Sequence, residues 1–445
     1  MRALVLLKYN FKLGLKNIRR NPILSALMVA AIGIGIGASM AMVTVNYRFG
    51  ANPIPQKSDD LYYIRVDSWS PNFSYQDGRG EGYPPTQVTY IEATAFLAAK
   101  RAFRQAAMTG STLAVEPPDP DERPYFVDVR ATTADFFLMF DAPFKYGTGW
   151  SADEDAAAEL VVVLSPSINE RVFGGENSVG RMLTLSGENY RVVGVLEQWE
   201  PAPRFYDLNG NQVEDLFIPW TLFAAKNGDL PRNGNTNCWK PLDGAGFQAF
   251  LNSECVWIQF WAELRNDAER ADYAAFLDAY VTEQKKLGRF ARPLNNRVTP
   301  VMEWLEERGV VPDEAQVLLG LSLMFLVVCL LNTIGLLLAK FLGKAPEIGI
   351  RRALGASRRV LFQQYLVEAG MIGFAGGLLG ILLTWLGLEG IKAQFYEDDF
   401  MRIMTLDWNM VLTAVCLAVL ASLITAIYPT WRACNVQPAV HLSAH

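Results

Sequence analysis

Four stretches of about twenty apolar residues constrain this chain more than any other feature. Residues 23–45 carry no charge at all, and neither do residues 317–339. Residues 366–388 hold a single acid, Glu368, near their start, and residues 410–428 run apolar up to Pro429. Each is long enough to cross a bilayer as a helix. The expected layout is a lead at 1–22, spans at 23–46, 317–341, 365–388 and 410–429, a large block at 47–316, connections at 342–364 and 389–409, and a tail at 430–445. The first apolar run is longer than a signal-peptide core and sits behind a long basic lead, so a retained anchor is expected rather than a cleaved leader.

Charge sets the orientation. Residues 1–22 carry Arg2, Lys8, Lys12, Lys16, Arg19 and Arg20 and no acid. Residues 340–360 carry Lys340, Lys344, Arg351, Arg352, Arg358 and Arg359 against Glu347 alone. The connection at 389–409 carries Lys392 and Arg402 against five acids. Basic flanks stay in the cytoplasm, so both ends are expected inside and the block at 47–316 outside, in an inner membrane. That block holds 25 Lys and Arg against 39 Asp and Glu, a balance of −14. So acidic a surface argues against nucleic acid as a partner. In the lead, Lys8, Lys12, Lys16 and Arg19 recur on one side of a helix and Leu4, Leu7, Phe11 and Leu15 on another. Such a helix lies at a lipid surface, or serves only as a topology signal.

The outer block offers little catalytic chemistry. The two histidines are His441 and His445, near the end of the chain. Histidine bases and histidine metal ligands are thereby excluded from the block, and no metal site is expected. Cys238 and Cys255 lie in it 17 residues apart, beside Trp239 and Trp257, and outside the cytoplasm a disulfide between them is expected over two free buried thiols. Two motifs are decoys. Gly175 to Met182 approaches a phosphate loop but lacks its Lys and Ser/Thr. Asp207, Asn209 and Asn211 begin like a calcium loop, yet Gln212 and Ile218 stand where Gly and Glu are needed. Strand-like runs at 61–66, 161–164, 190–196, 216–219 and 256–264 alternate with helical patterns, and Asn266 with Glu269 reads as a capping box opening a helix to about Lys286. The fold class is therefore an α-helical membrane protein with four transmembrane helices plus a mixed α/β extracytoplasmic domain. That domain is expected to have two lobes, the middle one inserted into the first.

The spans carry packing signals. Gly33 and Gly37 stand on the first; Gly373 and Gly377, then Gly376 and Gly380, on the third. Small residues at this spacing let membrane helices approach closely, within one subunit or across a dimer. No acid–base pair is expected in mid-span, which argues against an ion-coupled transporter.

Three stretches carry a family resemblance. Asn17-Ile-Arg-Arg-Asn-Pro22 leads into the first span. Glu347-Ile-Gly-Ile-Arg-Arg-Ala-Leu-Gly-Ala-Ser-Arg-Arg359 fills the inner connection, followed by Gln364-Tyr-Leu-Val-Glu368. Tyr428-Pro-Thr-Trp-Arg-Ala433 closes the last span. Together they resemble the MacB-type ABC transporter permeases, within the group that also holds FtsX and the LolC/LolE proteins. Leu164-Ser165, Phe173-Gly174-Gly175, Gly180-Arg181, Tyr190 to Val195 and Phe217-Ile-Pro219 extend the resemblance into the outer domain, nearer MacB than FtsX.

The resemblance implies an ATPase-coupling element at Glu347, Gly349, Arg351, Arg352, Gly355, Ala356 and Arg358. Read from the residues alone, Ile348, Ile350, Ala353 and Leu354 would form an apolar face of a short helix and the arginines a polar one, serving either docking or topology. The chain itself would bind no cofactor and catalyse nothing. ATP and Mg would sit on a separate ABC ATPase subunit, since nothing here resembles a Walker motif. A second permease copy or homologous permease, a periplasmic adaptor, an outer-membrane channel and membrane lipid complete the expected partners of a mechanotransmitting exporter. Pro346 and Ala345 depart from the family's usual residues and shift where the coupling helix starts. A lipoprotein-releasing or cell-division permease is the alternative within the group; a membrane-anchored receptor or extracytoplasmic enzyme is the alternative outside it.

Overall fold

The computed structural model describes residues 2–75, 82–117, 121–208, 214–226, 228, 236–310, 313–394 and 408–435. Residues 209–213 of the calcium-like stretch, most of the connection at 389–409 and the tail beyond Asn435 lie outside them. The chain forms two compact units, Met1–Gly50 with Val311–His445, and Ala51–Val310.

In the first unit, α1 (Arg2–Arg20), α2 (Pro22–Gly50), α11 (Asp313–Leu342), α12 (Ala345–Ala353), α13 (Arg358–Gln394) and α14 (Trp408–Cys434) form a bundle. Four of its helices are long and apolar enough to cross a membrane: Pro22–Tyr47, Gln316–Leu342, Arg358–Gly390 and Val411–Cys434. The last corrects the expected stop at 429, because Pro429 lies inside α14. A proline costs one backbone donor, which a membrane helix tolerates where neighbours cover the site. Here Thr430, Ala433 and Cys434 beyond it are buried in the bundle.

The glycines work on two faces of α13. A Cβ on Gly376 or Gly380 would strike Ile32 or Ile36 of α2 at 2.7–2.8 Å, and one on Gly33 or Gly37 would strike Leu379 or Leu383 at 2.8 Å. On the other face, a Cβ on Gly373 would lie 2.0 Å from Ser422 Oγ of α14, and one on Gly377 would lie 3.0 Å from Ala418. Backbone approach of this kind is what packs helices where water cannot drive them together.

The second unit is built on one ten-stranded mixed sheet. Its strands are β1 (Leu61–Arg65), β2 (Arg104–Glu116), β3 (Tyr125–Thr132), β4 (Phe144–Gly147), β5 (Val161–Leu164), β6 (Met182–Leu185), β7 (Glu188–Leu196), β8 (Leu216–Pro219), β9 (Gln259–Glu263) and β10 (Arg297–Pro300). Helices α3 (Tyr90–Ala99), α4 (Phe136–Met139), α5 (Ala152–Ala156), α6 (Pro166–Phe173), α7 (Leu222–Ala225), α8 (Phe247–Leu251), α9 (Asp267–Lys286) and α10 (Val301–Glu307) accompany it. The order β10-β1-β9-β2-β3-β8-β5-β7-β4 puts the middle of the chain at one end and its flanking parts at the other. The expected insertion is there, but as two halves of one sheet. The long β2–β3 hairpin joins them, Met108 facing Thr132 through to Val115 facing Tyr125.

Both faces of the sheet are buried. Tyr62, Ile64, Val162 and Leu164 enter one core, while Leu61, Tyr63, Val161 and Val163 enter the other. Strands covered on both sides read as continuous apolar runs rather than alternating ones. Helix α9 starts where its cap predicts, with Asn266 Oδ1 accepting from the Glu269 amide at 3.0 Å. Glu269 reaches back to the amide of Arg265 rather than of Asn266, so the box is closed one residue early. Gly174 ends α6 in a left-handed conformation. The phosphate-loop decoy thus follows a helix instead of opening one, and offers no helix N-terminus to a phosphate.

Candidate functional site

The connection between α11 and α13 folds as its residues dictate. Pro346 fits the first turn of α12, where no amide donor is needed. Glu347 near its start and Arg351 and Arg352 in its last turn suit the helix dipole. Gly355 then turns left-handed at φ 99°, its amide donating to Arg352 O at 3.1 Å and that of Ala356 to Arg351 O at 3.0 Å. This is a Schellman stop. Two residues later Ser357 opens α13, its Oγ accepting from the Val360 amide at 3.4 Å. Leu-Gly-Ala-Ser is therefore a stop followed by a start.

The inner face of α12 is Ala345, Ile348 and Gly349, all buried. The outer face differs from the sequence expectation. Ile350 is 54% exposed and Leu354 84% exposed, and Ala353 is exposed between them. Only Ile348 of the four apolar residues turns inward, because residues three and four apart share a face and 350, 353 and 354 fall opposite 345, 348 and 349. Beside this apolar patch, Arg351 Nη2 holds Glu347 Oε1 at 2.6 Å, and its Nη1 donates to Gln364 Oε1 of α13 at 3.3 Å. Arg352 Nη1 donates to the Cys434 carbonyl at the end of α14 at 3.2 Å. Arg358 reaches Asn435 Oδ1 at 3.2 Å. The arginines thus clamp α12 and α13 to the bundle instead of forming a free polar face.

Below α12 lies a buried charge group at the ends of two spans. Lys340 belongs to the last turn of α11, inside the expected span, and its Nζ lies 2.8 Å from Glu368 Oε1 of α13; both side chains are fully buried. Lys340 also donates to Ser25 Oγ of α2 at 3.0 Å, and Asn17 of α1 donates to Glu368 Oε2 at 2.9 Å. Lys344 Nζ stands 3.8 Å from the same carboxylate. Burial pushes the Lys344 ammonium below the ordinary lysine range, with Glu368 opposing the shift. The pair stands at the ends of two spans, which is where a charge in a membrane protein costs least.

Helix α1 packs on α13 through Gly14, where a Cβ would lie 2.9 Å from Met371 Sδ; Asn10, one turn earlier, is buried. Its Phe11 and Leu15 point outward, 53% and 41% exposed. Arg20 approaches Glu347 at 3.7 Å. In the other unit, Cys238 and Cys255 form a disulfide. Trp239 beside it packs with Trp69, Tyr75 and Val256, its Nε1 donating to Ser68 O at 3.0 Å. Among the described residues no group of three or more His, Cys, Asp or Glu could hold a metal.

Two family models match. The MacB-like periplasmic core domain covers residues 25–275, and the FtsX-like permease C-terminal model covers 319–438. The chain belongs to the MacB/FtsX family of ABC transporter permeases. Relatives of this MacB/FtsX permease include the macrolide export ATP-binding/permease protein MacB of Wolinella succinogenes, 22% identical over 71% of this chain and 43% of that protein. The MacB of Azoarcus sp. is 24% identical over 97% of this chain and 58% of that one. The pyoverdine export ATP-binding/permease protein PvdT of Pseudomonas syringae pv. tomato is 21% identical over 94% and 57%. The permease thus spans about half the length of relatives whose names join ATP-binding and permease. The periplasmic region of MacB from Actinobacillus actinomycetemcomitans aligns with a TM-score of 0.36 at 13% identity, over 56% of this chain and 93% of that one. The second model spans α12 and the Lys340–Glu368 pair, and the first spans β1 to β9 of the sheet. The MacB/FtsX permease is thus a four-span inner-membrane protein with an extracytoplasmic mixed α/β domain.

Proposed function

We propose that this permease is the transmembrane subunit of a mechanotransmitting ABC exporter. A separate ABC ATPase subunit, carrying ATP and Mg, docks on the outer face of α12. Its cycle moves α12, and the spans pass that movement to the extracytoplasmic domain. There the domain drives export through a periplasmic adaptor and an outer-membrane channel. A second permease, identical or homologous, completes the transmembrane part. Both ends of the chain stand in the cytoplasm.

The observation that carries this reading is the exposed Ile350–Leu354 patch on a helix whose back is clamped to the bundle. An apolar ridge at the polar end of a bundle is an interaction surface. It is flanked by the Glu347–Arg351 pair at 2.6 Å, which supplies a polar rim. Among the described residues the buried ion pair of the bundle, Lys340 with Glu368, stands toward the ends of its spans, which agrees with force transmission rather than ion coupling. ATP hydrolysis by the purified complex tests the reading, with Leu354→Asp, Glu347→Ala and Arg351→Ala in this chain. Leu354→Asp is expected to weaken ATPase association at least tenfold, about 1.4 kcal/mol. Glu347→Ala and Arg351→Ala are expected to leave assembly intact and depress hydrolysis. Failure of any ATPase to co-purify with the wild-type chain would overturn the proposal.

A further inference from the structure

The coupling element of this family is read as the short helix between two spans. The polar contacts around Glu368 extend it. We propose that α1 is a working part of that element, locked to α12 and α13 by Glu368 and Arg20, so that all three move as one body. The inference rests on the proposed function above.

One carboxylate joins four helices here. Glu368 of α13 is fully buried, takes Lys340 of α11 at 2.8 Å on Oε1, and accepts from Asn17 of α1 at 2.9 Å on Oε2. Lys340 in turn holds Ser25 of α2 at 3.0 Å. A buried carboxylate that loses a donor pays its desolvation without return, so these contacts are held or lost together. Asn17 is the one through which α1 takes part. One turn further along, Arg20 reaches Glu347, the residue that also pairs with Arg351 on α12. One turn earlier, Gly14 seats α1 on α13, where a Cβ would come within 3.6 Å of the Glu368 Cα itself. Asn10, Gly14 and Asn17 recur at four and three residues, so they form one seam. A helix lying loosely on lipid has no need of a buried asparagine or of a glycine at such close approach. The outward Phe11 and Leu15 are left to the membrane, and the inward seam is committed to α13.

Hydrogen exchange followed by mass spectrometry tests this on the full chain with its ATPase in lipid nanodiscs. In wild type, residues 9–20 and 345–353 should change protection together when a non-hydrolysable ATP analogue is added. Asn17→Leu should raise exchange in 9–20 about tenfold, the effect of losing one charge-assisted hydrogen bond, and abolish their response to the analogue while 345–353 still responds. Asn17→Gln, which keeps a donor, should restore much of it. The double variant Lys340→Met with Glu368→Gln removes both charges without orphaning either, and should fold yet uncouple the two segments. If 345–353 responds in wild type and 9–20 does not, α1 is only an anchor and the inference falls. If neither segment responds although ATPase is bound, the coupling reading itself falls, and this role for α1 with it.

Discussion

The two units of this permease bury charge in different ways. In the extracytoplasmic domain, Arg130 lies fully inside, with Asp207 at 2.8 Å on Nη2 and Glu214 at 2.8 Å on Nε. Arg204 and the Tyr206 hydroxyl both reach Glu214 at 2.8 Å as well. Burial alone would raise the Glu214 carboxyl, but Arg130 and Arg204 outweigh it and hold it below the ordinary range. Around this group stand Phe136, Phe140, Phe205, Tyr206 and Trp261, a core of large rings in edge and tilted contacts. The membrane bundle does the opposite. Its seams are glycine, alanine and serine, and its buried ion pair, Lys340 with Glu368, sits at the ends of the spans. Water expels apolar surface, so the domain gains enough from its rings to hold a charged network inside. Lipid expels nothing apolar, so the bundle relies on backbone proximity.

That contrast can be broken at either end. Glu214→Ala removes the carboxylate that Arg130, Arg204 and Tyr206 share, leaving Asp207 as the acid still beside both arginines, and should cost about 3 kcal/mol, read as a fall in the domain's unfolding midpoint. Replacing Cys238 and Cys255 together by Ser should cost about 3 kcal/mol for a loop of this size, read by the same midpoint and mimicked in wild type by reductant. Asp155 gives a pH test. Burial pushes its carboxyl up to about 6, against the amide of Ala134 and the hydroxyl of Thr221 that oppose the shift. Its folded state holds the proton longer, so its contribution is complete below pH 4 and is lost as pH rises through 6, about 2–3 kcal/mol in all. Asp155→Asn should flatten that slope in a pH series of thermal melts. In the bundle, Gly373→Val drives a side chain at Ser422 and the Ala418 carbonyl, and overpacking of this kind costs about 2 kcal/mol. Its signature would be a less stable membrane unit with the domain's melt unchanged. A domain melt that moves equally would mean the two units do not hold themselves together separately.

How much of this was legible depended on what each signal needed. Spans announce themselves through length without charge, and the left-handed Gly355 and starting Ser357 follow from turn chemistry. The pairing of Lys340 did not announce itself. The apolar run places it near the end of a span, and only the fold brings Glu368 to it from 28 positions away. The orientation of α12 was hidden for a similar reason. Ile348 and Ile350 are equally apolar, and which one faces inward depends on where α11 and α14 stand. The first half of β2 left no alternation to read, because Gln105, Ala106, Ala107 and Met108 are all buried. Asn17 was legible only as the start of a family-like stretch, because its partner again lies across the chain.

The bridge between Cys238 and Cys255 also carries a date. Thiols in the cytoplasm are kept reduced, and this bond closes only after the segment has crossed the membrane. The bond beside Trp239, which packs against Trp69 and Tyr75, therefore closes outside the cytoplasm. Each finished copy bears a chemical receipt of its own translocation, and a copy inserted the wrong way round would be left without one.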